Sequence, residues 1–198
     1  NGNAYMTDWI EWHRKYEDPE SSISRRLVAV RRRISEALDR AAAGTIRVAS
    51  MCAGDGRDLL GVMQTHPRAR DISGRLVEWN PQLVERARAS APSSIEVVCG
   101  DAGISDSYEG VVPVDLLLCC GVFGNITDED IRNTIDGWSM LCAPNATILW
   151  TRGAFSLDRR QEVRQWVQDA GFEELSFDGM DDDYGVGAAR MMRPAKPF

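Results

Sequence analysis

The stretch from Ile46 to Leu60 constrains the fold more than any other part of the chain. Its first half, up to Cys52, carries the apolar pattern of a buried parallel strand, and hydrophobic residues resume at helical spacing from Leu59. Between them, residues 53–56 (Ala-Gly-Asp-Gly) supply the small side chains that a sharp turn close to a ligand requires. A strand, a glycine turn and a helix N-terminus in this order can hold a nucleotide-like ligand, although Gly-x-Gly alone is also typical of a plain structural turn.

The alternation of strand and helix continues to the end of the chain. Strands are predicted after the glycine turn at Arg75–Trp79, Ile95–Cys99, Val114–Cys120, Ala146–Trp150, Phe172–Phe177 and Val186–Met192. Helices are predicted at Pro81–Ser90, Asp128–Leu141 and Asp158–Ala170. This rhythm predicts an α/β fold with a doubly wound, mostly parallel sheet covered by helices on both faces. No helix separates the last two strands, so we expect them to pair as an antiparallel hairpin.

Composition narrows the class of protein. A chain of 198 residues with 43% hydrophobic content fits one domain. Its 23 basic against 30 acidic residues give a net charge of -7, which argues against a nucleic-acid partner. The sequence shows no bilayer-spanning apolar run and no signal-peptide pattern, so we expect a cytoplasmic protein with no membrane partner. Its five cysteines lack metal-ligand spacing, which predicts buried free thiols and no metal site.

Residues 1–43 are expected to form an N-terminal helical cap on the domain formed by residues 44–198. Four aromatic or imidazole side chains share one face of a predicted first helix, namely Trp9, Trp12, His13 and Tyr16, with Tyr5 just before them. That face is either packing surface or a lid over a ligand.

A second N-terminal helix is predicted from Ser24, with an apolar face at Leu27, Val30, Ile34 and Leu38. The run Arg31–Arg33 is expected to lie on its solvated face. The acidic run Asp181–Asp183 is expected to be a solvated loop within the C-terminal hairpin.

Two carboxylates fall at the ends of neighbouring predicted strands. In an open α/β sheet ligands bind beyond the carboxyl ends of the strands, which is where Glu78 and Asp101 lie. Glu78 can accept hydrogen bonds from both ribose hydroxyls, and Asp101 can accept one from the exocyclic amine of an adenine. Either acid alone is equally consistent with an exposed strand-end charge, but the pair beside a Gly-x-Gly turn predicts a nucleoside site.

These motifs resemble those of the class I S-adenosylmethionine-dependent methyltransferases, from about Tyr16 to the C-terminus. The resemblance is carried by residues 48–56 as the glycine motif, 76–81 as the ribose motif, 99–102 as the adenine motif and 114–122 as the fourth strand with its loop. It implies a seven-stranded sheet with an antiparallel final strand, S-adenosylmethionine (SAM) as cofactor and S-adenosylhomocysteine (SAH) as product. The implied cofactor-binding residues are Tyr16, Cys52, Ala53, Gly54, Asp55, Gly56, Asp58, Glu78, Trp79, Asp101, Ala102, Cys120, Gly121 and Val122.

The chain departs from the family pattern at two positions of the first strand. Ser50 stands where the family usually has an acid, and Cys52 stands where it often has a glycine. The cofactor amino group is therefore left to Asp55, Asp58 or an N-terminal residue. Gly56 is expected to leave ligand space that a larger side chain would fill.

Methyl transfer requires alignment and exclusion of water more than catalytic side chains. If the acceptor must lose a proton, His13 is the candidate base, with Tyr16, Asn125 and Arg152 as candidate substrate-side groups. No motif names the acceptor. The short chain and acidic surface favour a small-molecule methyl acceptor over a nucleic acid.

Two other functions share this scaffold. One is an NAD(P)-binding oxidoreductase, against which Leu59 stands where a dinucleotide fingerprint needs a small residue. The other is a protein that binds SAM without turnover, because the family has no obligatory catalytic side chain whose loss would show in the sequence.

Overall fold

The computed structural model describes residues 8–155 and 157–198, so Tyr5 of the predicted N-terminal segment lies outside the described residues. Six helices are present in these ranges: α1 (Trp9–His13), α2 (Ser22–Arg40), α3 (Leu59–Met63), α4 (Pro81–Ser90), α5 (Asp128–Leu141) and α6 (Arg160–Asp169). Seven strands accompany them: β1 (Ile46–Met51), β2 (Ile72–Glu78), β3 (Ile95–Cys99), β4 (Val114–Cys119), β5 (Cys142–Thr151), β6 (Phe172–Asp178) and β7 (Val186–Met191).

All seven strands form one sheet in the order β3-β2-β1-β4-β5-β7-β6. The first five strands are parallel, and β7 is antiparallel to both β5 and β6. The predicted mostly parallel sheet and its C-terminal hairpin are confirmed. From β1 the strand order runs through β2 to β3 towards one edge of the sheet, and from β4 it runs towards the other edge. The carboxyl ends of β1 and β4 therefore lie at the point where the direction of winding reverses.

Local sequence signals explain where the helices start. Asn80 caps α4, accepting from the backbone N–H of Gln82 at 2.9 Å, and Pro81 occupies the first helical position. Thr127 caps α5 by accepting from the N–H of Asp130. Asp158 precedes α6 and accepts from the N–H of Arg160. These caps place the helix starts within two residues of their predicted positions.

Helices cover both faces of the sheet. The face under α2, α3 and α4 buries Ile34, Leu38, Leu59 and Val84 against β1, β2 and β3, while the face under α5 and α6 buries Trp138 and Val163 against β4 and β5. Such two-sided burial requires strands that are apolar on both faces, as β4 is. No helix of the described residues is long and apolar enough to cross a membrane.

The arginine run of α2 lies only partly on a solvated face, since Arg32 is exposed but Arg31 and Arg33 are partly buried. Arg33 makes two hydrogen bonds with the carboxylate of Asp178 at the end of β6, at 2.7 and 2.8 Å, and Arg32 binds the same carboxylate. The acidic loop is solvated as expected, with Asp181 and Asp183 exposed, and within it Arg25 binds Asp182 and Asp183 at 3.0 Å each. These ion pairs join α2 to the C-terminal hairpin and so fix the start of α2 beside the carboxyl ends of the strands.

Candidate functional site

The loop after β1 has the backbone conformation that only a few residue types adopt easily. Cys52, Gly54 and Gly56 have φ of 51°, 60° and 72°, all in the left-handed region. For Cys52, which carries a Cβ, this conformation costs on the order of 1–3 kcal/mol. The departure from glycine at this position therefore leaves the turn itself intact.

The two glycines of the turn face different surroundings. A Cβ on Gly54 would lie 2.9 Å from His13 Nε2, at the site, whereas a Cβ on Gly56 would lie 2.7 Å from Leu76 Cδ1 and 2.9 Å from Leu60 Cδ1, in the core. The expectation that Gly56 leaves space for a ligand is therefore wrong. A small residue is needed there because β2 and α3 pack closely against the turn.

Glu78, at the end of β2, supports this turn. Its side chain is 8% exposed, and its two oxygens accept from the backbone N–H groups of Gly54 at 2.8 Å and Asn80 at 2.7 Å. A carboxylate held by two N–H groups in this way has a fixed orientation and keeps its remaining lone pairs for a ligand.

A cavity of about 410 Å³ opens at the carboxyl ends of β1, β2, β3 and β4. This volume is within the range of ligand pockets, roughly 300–1,000 Å³. The cavity is lined by every predicted cofactor-binding residue except Gly56: Tyr16, Cys52, Ala53, Gly54, Asp55, Asp58, Glu78, Trp79, Asp101, Ala102, Cys120, Gly121 and Val122.

The cavity also has lining residues that sequence reasoning did not assign to the site. They are Trp12, Arg26, Leu27, Val30, Arg57, Leu83, Gly100 and Ile126. Three of them, Arg26, Leu27 and Val30, belong to α2. Periodicity placed the two apolar ones on the packing face of the helix, but no local signal shows that the first turns of α2 pass over the carboxyl end of β1.

Two aspartates on the α3 side of the cavity differ in their partners. Asp55 binds the guanidinium of Arg57, with Nε to Oδ1 at 2.9 Å. Burial opposes ionisation of Asp55, but the hydrogen bonds and charge of Arg57 outweigh it, so its pKa is lowered. Asp58 caps α3 through the N–H of Leu59 at 2.7 Å, and burial raises its pKa. The negative charge of Asp55 is thus already balanced by Arg57, whereas the carboxylate of Asp58 would be stabilised by an added cation.

The N-terminal segment covers this end of the cavity. The predicted single helix is instead α1 followed by a 3-10 turn at Arg14–Glu17, but Trp12, His13 and Tyr16 still cluster, with ring centroids 5.4 to 5.9 Å apart. The Arg57 guanidinium lies 4.0 Å from the centre of the Tyr16 ring, and Arg26 donates to the Tyr16 hydroxyl at 3.2 Å.

The four candidate catalytic or substrate-side residues are not all at one place. His13, Tyr16 and Asn125 line the cavity, whereas Arg152 lines an adjoining pocket that Asn125 shares. Burial raises the pKa of Tyr16, so its phenol is protonated at neutral pH. Tyr16 is therefore suited to donate a hydrogen bond and poorly suited to act as a base.

The cysteines are not the uniformly buried thiols that the sequence predicts, and two of them, Cys52 and Cys120, line the cavity. Cys52 and Cys99 are exposed, and Cys120 is partly buried. Partial withdrawal of Cys52 from bulk water, with the nearby charges of Glu78 and Asp101, raises the pKa of its thiol to about 11. Burial likewise raises the pKa of Cys120. Both thiols are thus neutral and weakly nucleophilic at neutral pH.

The far end of the cavity is formed by the loops after β2 and β3. Asp101 accepts from the N–H of Gly103 at 2.8 Å, and Ala102 is buried beneath it. Trp79 is 73% exposed at the rim, unusual for so large an apolar ring. An exposed ring and a carboxylate that line the same cavity are suited to a planar base that bears an amine.

Taken together, the charged groups of the cavity are predominantly acidic. Four carboxylates, from Asp55, Asp58, Glu78 and Asp101, line it, against two guanidinium groups, from Arg26 and Arg57. The cavity therefore favours a ligand with positive charge. Within residues 8–155 and 157–198, no three or more His, Cys, Asp or Glu side chains are grouped so that they could hold a metal ion.

Searches by sequence give no relatives: no family model matches the chain, and no curated protein matches it. Comparison of three-dimensional structures does find similar proteins. The chain is similar to magnesium protoporphyrin IX methyltransferase (ChlM) from Synechocystis with bound SAM, at 12% identity and a TM-score of 0.70, over 94% of this chain and 92% of that one.

Two further solved structures are similar over comparable lengths. One is the N-methyltransferase NodS from Bradyrhizobium japonicum in complex with SAH, at 15% identity and a TM-score of 0.66, over 93% of this chain and 98% of that one. The other is a TehB-like SAM-dependent methyltransferase from Corynebacterium glutamicum, at 12% identity and the same TM-score and coverage. At these identities the similarity establishes the fold, and the chain has the fold of the class I SAM-dependent methyltransferases.

Proposed function

We propose that the protein is a SAM-dependent methyltransferase that acts on a small molecule. The observation that carries the proposal is the acidic cavity at the carboxyl ends of β1 to β4 in a methyltransferase fold. SAM carries a positive sulfonium and an ammonium group, and carboxylates and aromatic faces both stabilise such charges. The donors and acceptors of the cavity fit this cofactor from end to end.

We assign the nucleoside half of the cofactor to the β2 and β3 side of the cavity. Glu78, fixed by its two backbone N–H partners, accepts from the ribose hydroxyls with its remaining lone pairs. Asp101 accepts from the adenine amine, next to the exposed ring of Trp79.

We assign the ammonium of the methionine half to Asp58 and not to Asp55. Asp55 is occupied by Arg57, whereas Asp58 lacks an ion-pair partner among the described residues and has a raised pKa because it is buried. A cation placed beside Asp58 offsets the cost of its buried charge. Ser50, at the position where the family usually has an acid, is buried inside β1 and does not line the cavity.

The reaction needs an aligned acceptor and a dry site. The bound cofactor supplies a methyl group activated by the sulfonium. An acceptor lone pair would form the bond to the methyl carbon as the carbon–sulfur bond breaks, and the electron pair of that bond would stay on sulfur. A hydroxyl or amine acceptor would pass its proton to a base, for which His13 is the candidate among the lining residues. The ring cluster of Trp12, His13 and Tyr16 excludes water from the end of the cavity beside Asp55 and Asp58. This cluster belongs to the N-terminal segment, which acts as a lid.

An NAD(P)-dependent oxidoreductase fits less well. In that class the negative pyrophosphate lies at the glycine turn and the following helix. Here Asp55 and Asp58 stand at that place, and their carboxylates would repel a pyrophosphate.

Titration calorimetry tests the cofactor assignment. We expect SAH to bind and NAD and NADP to give no heat, because the cavity is acidic. Release of SAH from SAM in the presence of candidate acceptors, compared with buffer, then separates an enzyme from a protein that only binds the cofactor. Binding of NAD in preference to SAH would contradict the proposal. The cytoplasmic location and the lack of a nucleic-acid partner expected from the sequence stay predictions.

A further inference from the structure

A second pocket of about 380 Å³ adjoins the cofactor cavity. The two share the side chains of Trp12, Arg26 and Asn125 and the backbone of Gly121 as a common wall. Asn125 is held at this wall because its side-chain amide donates to the Gly121 carbonyl at 2.8 Å. A molecule in the second pocket can therefore present a reactive atom to the cofactor cavity.

The charge of this pocket is opposite to that of the cofactor cavity. Three cationic side chains line it, from Lys15, Arg26 and Arg152, and no aspartate or glutamate of the described residues does. This contrast is notable in a chain with a net charge of -7. A concave, positive site in an acidic protein attracts anions selectively.

The acidic groups near the Arg152 and Tyr184 side of this pocket have arginine partners. Asp182 and Asp183 bind Arg25, and Asp158 binds Arg160 at 2.8 Å. The hydrogen bond from Arg160 is the main reason that the pKa of Asp158 falls to about 2, and the charge of Arg152 adds a small effect. These acids are therefore paired outside the pocket, while Glu17, Asp18 and Glu20, near Lys15 and Ser21 in the chain, are exposed and do not line it.

Arg152 has unused hydrogen-bonding capacity. Its backbone is fixed, since its N–H donates to the Gly185 carbonyl at 3.0 Å just beyond β5. Its Nη2 makes one long hydrogen bond, to the Leu157 carbonyl at 3.3 Å, and its Nε is buried without a partner in the described part of the chain. A guanidinium can bind a carboxylate or phosphate through two parallel N–H groups, and the Nη N–H groups of Arg152 that make no hydrogen bond among the described residues can serve in this way.

Aromatic surface accompanies the charge. Phe155 lines the pocket and is 60% exposed, and its ring packs on the backbone of Gly153, where an added Cβ would lie 2.6 Å from Cδ2. Trp12 lines the pocket from the cap. An exposed ring and a partly buried one in the same pocket favour a ligand with a flat apolar body.

We propose that the methyl acceptor is a small aromatic molecule with an oxyanion, a carboxylate or a phosphate, which binds Arg152 and Lys15. Its ring lies against Phe155, and the atom to be methylated points past Asn125 to the cofactor cavity. This inference rests on the proposed function, because it assigns the second pocket to the acceptor.

The test compares anionic ligands with neutral ones of the same shape on the full chain saturated with SAH. The probes are benzoate, 4-hydroxybenzoate, phenylacetate and indole-3-acetate, each paired with its amide, together with phenyl phosphate paired with phenol. Binding is measured by ligand-observed NMR and calorimetry. We expect at least one anion to bind about tenfold or more tightly than its neutral partner, as one charged hydrogen-bonded pair provides. The carboxylate and phosphate probes identify which oxyanion is preferred.

Variants then show which side chains cause the preference for the anionic ligand. Arg152→Gln and, separately, Lys15→Gln should reduce the preference for the anion, with Arg152→Gln reducing it to about twofold or less. Arg40→Gln is the matched control, since it removes one positive charge at the far end of α2, roughly 27 Å along the helix from Ser22. Arg40→Gln should leave the preference unchanged, and all variants should keep wild-type affinity for SAH.

Three outcomes would overturn the inference: no probe binds, neutral and anionic partners bind equally, or Arg152→Gln keeps the preference. The wild-type comparison of acid with amide needs no variant, so it decides the matter even if Arg152→Gln does not fold. SAH affinity is measured separately and reports on the proposed function alone. If SAH does not bind, the acid and amide comparison is made without it and still tests the pocket.

Discussion

Replacement of Glu78 tests the cofactor assignment most directly, because this carboxylate has two separable roles. It holds the turn after β1 through the N–H of Gly54 and the loop after β2 through the N–H of Asn80. We propose that it also accepts from the ribose. Glu78→Ala removes both roles, so a loss of affinity by itself would not identify the ribose contact.

The expected magnitudes follow from the hydrogen bonds. A hydrogen bond to a charged group contributes about 1.5–3 kcal/mol. Loss of two such bonds should lower the free energy of unfolding by about 3 kcal/mol, the lower end of their sum, since water in the cavity can reach the exposed N–H groups. The ribose contact adds a loss in SAH binding of about 1.5–3 kcal/mol, or roughly 10- to 150-fold in Kd.

A thermodynamic cycle separates the two roles. Calorimetry gives the affinities of SAH and of its 2′-deoxy analogue for the wild type and for Glu78→Ala. On the wild type, removal of the ribose hydroxyl should weaken binding by about tenfold or more. On Glu78→Ala the same removal should cost about twofold or less, because the partner of the hydroxyl is already gone.

An equal penalty for the deoxy analogue on both proteins would refute the ribose assignment, whatever the absolute affinities. Glu96→Ala serves as the control for loss of a carboxylate. Glu96 lies on β3, pairs with Arg75 at 2.7 Å, and does not line the cavity. It should leave both affinities unchanged.

Four further predictions concern the rest of the site. Asp58→Asn should weaken SAH binding by about 1.5–3 kcal/mol, whereas Asp55→Asn should mainly lower thermal stability, because its ion pair with Arg57 is lost. Since burial raises the pKa of Asp58, SAH affinity of the wild type measured by calorimetry should fall as the pH drops through that raised pKa, and Asp58→Asn should lose this dependence. Gly56→Ala should lower the free energy of unfolding, measured by denaturant titration, by about 1–3 kcal/mol more than Gly110→Ala does, because both glycines have positive φ but only Gly56 faces packed side chains. Equal losses would contradict the core position of Gly56. Hydrogen exchange of residues 10–17 should slow when SAH binds, and equal protection in both states would show that this segment is packing surface and not a lid.

The sequence was sufficient for those features that local chemistry encodes. Alternating apolar runs, Pro81 at a helix start and the helix-free end of the chain predicted the order of strands and helices and the terminal hairpin. Strand ends can be read from the same runs. That is why Glu78 and Asp101 were placed correctly at the carboxyl edge of the sheet.

Only the tertiary structure decided which residues share a cavity. Arg33 binds Asp178, 145 positions away, and this contact with its neighbours brings Arg26 and Leu27 of α2 over the cavity. No periodicity records such a pairing, because it depends on the position of the C-terminal hairpin next to β5.

The direction in which a side chain points was likewise decided by packing. Gly54 and Gly56 are two positions apart in one motif and both have positive φ, yet one faces the cavity and the other faces Leu76 in the core. The reversal of charge between the acidic cavity and the basic pocket arises in the same way. Lys15 and Arg152 are 137 positions apart and come to one pocket only because the cap and the end of β5 meet at the same edge of the sheet.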